Sequence, residues 1–142
     1  MEKKKNLAKR VVDKMYGNDL FSQWLAIERL EEAPGRSVLK LKVRKEMLNG
    51  FGIAHGGITY SLADSALAFA SNSHGIKSVS IETSISHTEP VKEGDEITAE
   101  AIEENCSNKI GRYKISVKNQ NNKTVAIFRG TVYRTSKSWF EE

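Results

Sequence analysis

A single cysteine, Cys106, is present among the 142 residues, so an internal disulfide is excluded. It falls in a polar stretch between Asn105 and Ser107 and reads as an incidental turn residue. No apolar run approaches the roughly 20 residues that a bilayer span needs. The lysine-rich start is not followed by the apolar segment of a signal peptide. A cytoplasmic protein with no membrane partner is therefore expected. The histidines, His55, His74 and His87, come without paired cysteines and without the helical spacing of four, so no metal site and no cofactor are expected. Repeats, linkers and low-complexity segments are also missing. One domain over residues 1–142, long enough to bury a real core, is the expectation.

The charge is modest in excess, +4 with a pI near 9.2, which suits an anionic ligand without naming one. The basic cluster Lys3 to Lys5 with Lys9 and Arg10 lies opposite the stripe Leu7, Val11 and Met15, spaced by four. It reads as the solvated face of an N-terminal helix over residues 1–18. Gly17 and Asn18 end that helix, and Asp19 is placed to cap a short turn running to Trp24. Nucleic-acid binding would need a recognition helix or stacked aromatics in a basic groove, and neither pattern occurs.

What the chain does have is the stretch Asn49 to Gly75. After His55 comes a run of about 17 residues that is apolar or small on every side, the mark of a helix buried nearly all round. The predicted central helix covers residues 57–74 and stops at Gly75. Its only charged residue is Asp64, and an isolated carboxylate on such a helix calls for a reason. The bland reading is one wetted helix edge. Gly56 and Gly57 open the helix, where unpaired N–H groups and the positive end of the helix dipole would hold an anion or oxyanion.

Around this helix the pattern has period two. Leu39, Leu41 and Val43 alternate with Lys40, Lys42 and Arg44 after a hairpin turn at Ala33, Pro34 and Gly35. Four further strands are predicted at Ser78 to Thr88, Glu96 to Glu104, Ile110 to Asn119 and Thr124 to Arg134, each bounded by turn residues. A ten-residue strand spans about 33 Å and a 17-residue helix about 26 Å, so a curved antiparallel sheet can wrap the helix lengthwise. The fold class is α+β.

Strands, an enclosed helix, then four strands is the order of the hot-dog fold. The chain resembles the PaaI-type phenylacetic acid degradation thioesterases within the acyl-CoA thioesterases. The residues that carry the likeness are Met47-Leu48-Asn49-Gly50, His55-Gly56-Gly57, Ser61-Leu62-Ala63-Asp64, Asn72-Ser73 with Gly75, and Lys123-Thr124-Val125-Ala126 with Phe128-Arg129-Gly130. The resemblance runs from about Tyr16 to Arg134. It implies an active site lined by Asn49, His55, Gly56 and Asp64, an acyl-CoA substrate with aromatic phenylacetyl-type acids preferred, and a homodimer paired again into a homotetramer. It also places Ser80 near an attacking water, whereas the alternation makes Ser80, Glu82, Ser84 and Ser86 a solvated face opposite Val79, Ile81 and Ile85.

The residue types suit thioester hydrolysis by themselves. The N–H of Gly56 or Gly57 would bind the tetrahedral oxyanion, and Asp64 would serve as nucleophile or as the base that activates water. His55 either orients the thioester or ties down its loop. Asn49 either holds water or the thiol side of the substrate, or is a left-handed turn residue beside Gly50. Tyr60, Leu67 and Phe69 are candidates for an acyl pocket or plain core, and Arg112, Arg129 and Arg134 for coenzyme A phosphates or plain surface charge. Gly57 and Asp64 are seven residues apart, about 10 Å along a helix, so one thioester would need these groups from two antiparallel copies. The alternatives are a hot-dog hydratase or dehydratase, and an acyl-CoA sensor. Sensors of that kind carry a DNA-binding helix-turn-helix ahead of the domain, and a single short helix precedes the sheet here.

Overall fold

The computed structural model describes residues 1–141. Helix α1 spans Glu2–Asn18 and α2 Leu20–Trp24; strands β1 (Glu28–Ala33) and β2 (Arg36–Lys42) precede the central helix α3, Gly56–Asn72. Then come β3 (Ile76–His87), β4 (Glu96–Cys106), β5 (Ile110–Lys118) and β6 (Thr124–Ser138). The six strands form one antiparallel sheet in the order β1-β2-β4-β5-β6-β3, and α3 packs against every one of them. This is the hot-dog architecture, α+β, with β1 and β3 as its free edges. Among the described residues no helix is long and apolar enough to cross a membrane.

Several boundaries differ from the sequence expectation. The central helix starts at Gly56 and ends at Asn72 instead of covering 57–74, because the His55 ring caps its first turn and Gly75, at φ +88°, turns the chain back with its N–H on the Asn72 carbonyl. The N-terminal helix begins at Glu2, and Asp19 does cap α2, its side chain accepting from the Ser22 N–H at 2.9 Å. Cys106 is the last residue of β4, paired with Gly111 of β5, and is not a turn residue. The strand outlasts the polar sequence because cross-strand hydrogen bonds, not side-chain polarity, hold it.

The core lies between α3 and the inner face of the sheet. Leu62, Leu67 and Phe69 of the helix meet Leu39, Leu41, Ile97, Ala99, Ala101, Ile115, Val117 and Phe128. Each fully buried Leu or Phe contributes about 1.5–3 kcal/mol. Gly130 on β6 is what lets Leu67 in, since a Cβ there would collide with a Leu67 methyl. On the other side α1 covers α3 with Ala8, Val11 and Val12. The strip Gly57, Ser61, Asp64 and Ala68, at helical spacing, stays outside the core.

Strand β3 breaks the expected alternation. Its register to β6 slips between Ser80 and Glu82, a bulge at Ile81. Before the bulge, Ser78 faces inward, its N–H donating to Asn72. Beyond it the inward parity passes to Thr83, which hydrogen bonds Tyr60, and to His87, which lies against Gly56. Val79 and Ile81 are left 57% and 60% exposed on a sheet edge, where strict alternation had made them the apolar partners of Ile85.

Candidate active site

At the start of α3 the loop from Asn49 folds over on itself. The Asn49 Oδ1 accepts from the N–H groups of Phe51 (2.9 Å) and Ile53 (3.3 Å), and the positive φ of the turn is carried by Gly52, at +78°, not by Asn49. His55 is the N-cap of α3: its Nδ1 accepts from the Gly57 N–H at 2.9 Å. Since Nδ1 accepts, the proton of the neutral ring is on Nε2. The Gly57 N–H is thereby occupied, while the Gly56 N–H has no partner among the described residues.

His87, from the far end of β3, closes over this turn. A Cβ at Gly56 would lie 3.2 Å from the His87 Nε2, so any side chain at Gly56 would push against that ring. Asn49, Gly56, Thr59 and His87 line a cleft of about 330 Å³ that opens to solvent. Sequence reasoning had no signal for His87, which lies 31 positions beyond Gly56 in the chain and reaches it only through the bulged strand.

Asp64 lies in a second cleft. This one, of about 430 Å³, is lined by Asp64, Leu67, Ser78, Ser80, Met15 of α1 and the C-terminal Trp139. Asp64 makes no hydrogen bond or ion pair among the described residues. Its carboxyl is pushed above the usual carboxylate range, first by burial and then by the negative charge of Asp19. Ser80, though exposed in the single chain, shares the cleft with Asp64.

The structure thus divides the expected residues into two groups: Asn49, His55, Gly56 and Gly57 at one end, Asp64 and Ser80 at the other. Gly56 and Asp64 are eight residues apart on one helix, about 12 Å along its axis. Of the other candidates, Leu67 and Phe69 are core residues and Tyr60 leans edge-on against Phe128. Arg129 pairs with Glu104, and the Arg134 Nη1 donates to the Ser107 carbonyl at 2.8 Å.

Away from both clefts, His74, Glu103 and Cys106 converge, their ligand-type atoms within 4.8 Å of one another. Glu103 accepts from the Tyr113 hydroxyl at 2.6 Å and bonds the His74 Nε2 at 2.8 Å. Burial pushes the Glu103 carboxyl upward, but these donors outweigh it and hold the group below its usual range. Burial and the Glu103 charge push the Cys106 thiol up. Glu103 and Cys106 share β4, but His74 comes from 29 positions earlier in the chain, so spacing rules could not find the group.

The comparisons agree with this architecture. A family model for the thioesterase superfamily matches residues 51–126. A putative esterase of Archaeoglobus fulgidus is 43% identical over 137 residues, 96% of this chain and 89% of that protein. The acyl-coenzyme A thioesterase PaaI of Escherichia coli is 39% identical over 120 residues, 84% of this chain and 86% of its own. The solved structure of the E. coli PaaI protein, from the phenylacetic acid degradation operon, superposes with a TM-score of 0.93 over 94% of this chain and 97% of that one, at 36% identity. A Streptococcus mutans protein bound to acetyl CoA superposes with a TM-score of 0.76 at 25% identity, over 79% of this chain and 90% of its own.

Proposed function

The chain belongs to the thioesterase superfamily, as a PaaI-type hot-dog thioesterase, and from that premise we propose that it hydrolyses acyl-CoA thioesters to the free acid and coenzyme A, at sites shared between two copies of the chain. The observation that carries this reading is Asp64: a half-buried carboxylate with no partner among the described residues, lining one cleft with Ser80 and about 12 Å along the helix from the Gly56 N–H, itself without a partner among those residues. A carboxylate held above its usual range is the stronger proton acceptor.

In the base route, the carbonyl oxygen docks on the Gly56 N–H at the positive end of α3. Asp64 of the other copy takes a proton from a water that Ser80 helps orient, and the hydroxide adds to the carbonyl carbon. The tetrahedral intermediate then expels the coenzyme A thiolate, which recovers the proton from the Asp64 carboxyl. In the nucleophile route Asp64 attacks the carbonyl carbon directly and the C–S bond breaks, releasing the coenzyme A thiolate; water then cleaves the resulting anhydride, freeing the acid and the Asp64 carboxylate and supplying the proton that the thiolate takes up. The Asn49 Nδ2, with no partner among the described residues, would hold the thiol side of the substrate. His55 acts by fixing the glycine turn. The net positive charge favours the phosphates of coenzyme A.

The two-copy site is supported by the edge strand. β3 is twelve residues long with its outer edge unpaired and Val79 and Ile81 exposed beside the Asp64 cleft, a surface that in a monomer invites association. Antiparallel pairing of β3 with its copy would run the two α3 helices antiparallel and bring each Asp64 towards the neighbour's glycine end. We further propose a tetramer of two such dimers, a cytoplasmic location, and preference for phenylacetyl-type acids, all three on the likeness to PaaI. A panel of short, long and aromatic acyl-CoAs, followed by free-thiol release with a chelator present, tests the reading. Release from at least one class is expected. Hydration of an enoyl-CoA with no hydrolysis of any thioester would replace it with the dehydratase reading.

A further inference from the structure

The corner between α1 and α2 does more than cover the core. Asp19 accepts from the Ser22 N–H through Oδ1 at 2.9 Å and from the Ser22 hydroxyl through Oδ2 at 2.6 Å. The Ser22 Oγ lies 2.8 Å from the Ser65 Oγ, and both hydroxyls are buried. An ionised carboxylate only accepts hydrogen bonds. The Ser22 proton is therefore committed to Asp19, and the Ser22 oxygen must accept from Ser65. The direction of the whole chain is set: Ser65 to Ser22 to Asp19.

Ser65 is the residue after Asp64, on the same helix. Successive side chains point about 100° apart around an α-helix, 3.6 residues per turn, so holding Ser65 against α2 fixes where Asp64 points. We infer that Asp19, through Ser22 and Ser65, is a positioning residue for the Asp64 carboxylate, holding the helix in the rotation that aims Asp64 into its cleft while presenting a fixed negative charge to it. This rests on the reading of Asp64 as the reacting carboxylate. The charge of Asp19 is the second cause, after burial, that pushes Asp64 upward. Of the remaining groups lining the cleft, Met15 of α1, Trp139 of the C-terminal segment and Ser80 of β3 carry no charge, and Lys77 of β3 is a cation. The Lys77 Nζ lies over the Trp139 ring at 5.2 Å and makes no ion pair with Asp64.

The test is a set of pH profiles of kcat/KM for acyl-CoA hydrolysis. Asp19→Asn keeps a good helix cap and removes the charge, so its acidic limb should move to lower pH. Asp19→Ser, also a capping residue, gives the same reading should the Asn variant unfold. Ser65→Ala keeps every charge and breaks the chain of hydroxyls; it should lower kcat by roughly ten-fold, inside the loss of up to about 10² that a 1 Å misplacement causes, with KM and the acidic limb unmoved. A merely structural role for Asp19 would lower the melting temperature and leave the limb in place. An unmoved limb in a folded Asp19 variant, or full kcat in Ser65→Ala, overturns the inference. Asp64→Asn run alongside separates the two readings: if it retains activity, the Asp64 assignment fails and this one with it; if it is inactive while the Asp19 limb stays put, only the role of Asp19 fails.

Discussion

The two ends of the α3 site strip have opposite characters. At the glycine end Gly56 and Gly57 leave the backbone bare: the Gly57 N–H is tied by His55, the Gly56 N–H has no partner among the described residues, and a Cβ at Gly56 would press on His87. At the Asp64 end there is a carboxylate that nothing among the described residues pairs, in a cleft built from α1, α3, β3, β6 and the C-terminal Trp139 of the same chain. One end offers a donor without an acceptor and the other an acceptor without a donor. Folding would normally bring such groups together. A single rigid helix keeps them about 12 Å apart, which is the physical case for a partner copy completing each site.

The contrast is broken most sharply at Asp64. Asp64→Asn should lower kcat by about 10² to 10⁴ and, at the same time, raise the melting temperature at neutral pH. The sign follows from the direction of the shift: a carboxyl raised in the folded state makes folding less favourable as pH climbs from its ordinary value, about 3.9, through the raised one, and the amide removes that penalty. Activity loss with a lower melting temperature would instead mark Asp64 as structural. Gly56→Ala keeps the backbone N–H but sets a methyl against His87 in the cleft; it should reduce kcat by up to about 10², the loss a misplacement of about 1 Å causes.

Mixing Asn49→Ala chains with Asp64→Asn chains, each inactive alone, tests whether the two ends cooperate across copies. Random exchange makes half the dimers mixed, each with one intact site of two, so roughly a quarter of wild-type activity should return. No recovery despite exchange confirmed by native mass spectrometry would place the site within one chain or remove Asn49 from it. A smaller effect is expected at His55. His55→Asn retains a cap and should stay near wild-type stability, whereas His55→Ala should lose about 1 kcal/mol, read by urea unfolding. The smallest effect is a control far from both ends. Glu103, held below its usual range by Tyr113 and His74, contributes stability that is present above its ordinary value of about 4.3 and fades as pH falls below it; Glu103→Gln should flatten that acid limb without touching kcat.

Much of this was legible in the chain because it is local. A histidine followed by two glycines, a helix apolar on all sides but one, and a single carboxylate in it are statements about neighbours within a turn or two, where helical spacing decides who faces whom. Periodicity likewise located the strands to within a few residues. The strand faces are another matter. A one-residue bulge at Ile81 moved Ser80 and Thr83 to the same side and put Val79 and Ile81 outside, and nothing in a period-two pattern announces an extra residue.

The sequence by itself, then, determined the element types, the oxyanion-ready turn and the lone acid, since each rests on propensity and spacing along one segment. Only the tertiary structure decided which groups meet across segments: His87 over Gly56, Asp19 and Ser22 behind Ser65, and His74 beside Glu103. Such contacts depend on sheet register, strand curvature and the docking of α1 and α2. Those are settled by packing the whole core at once, not by any stretch of residues read alone.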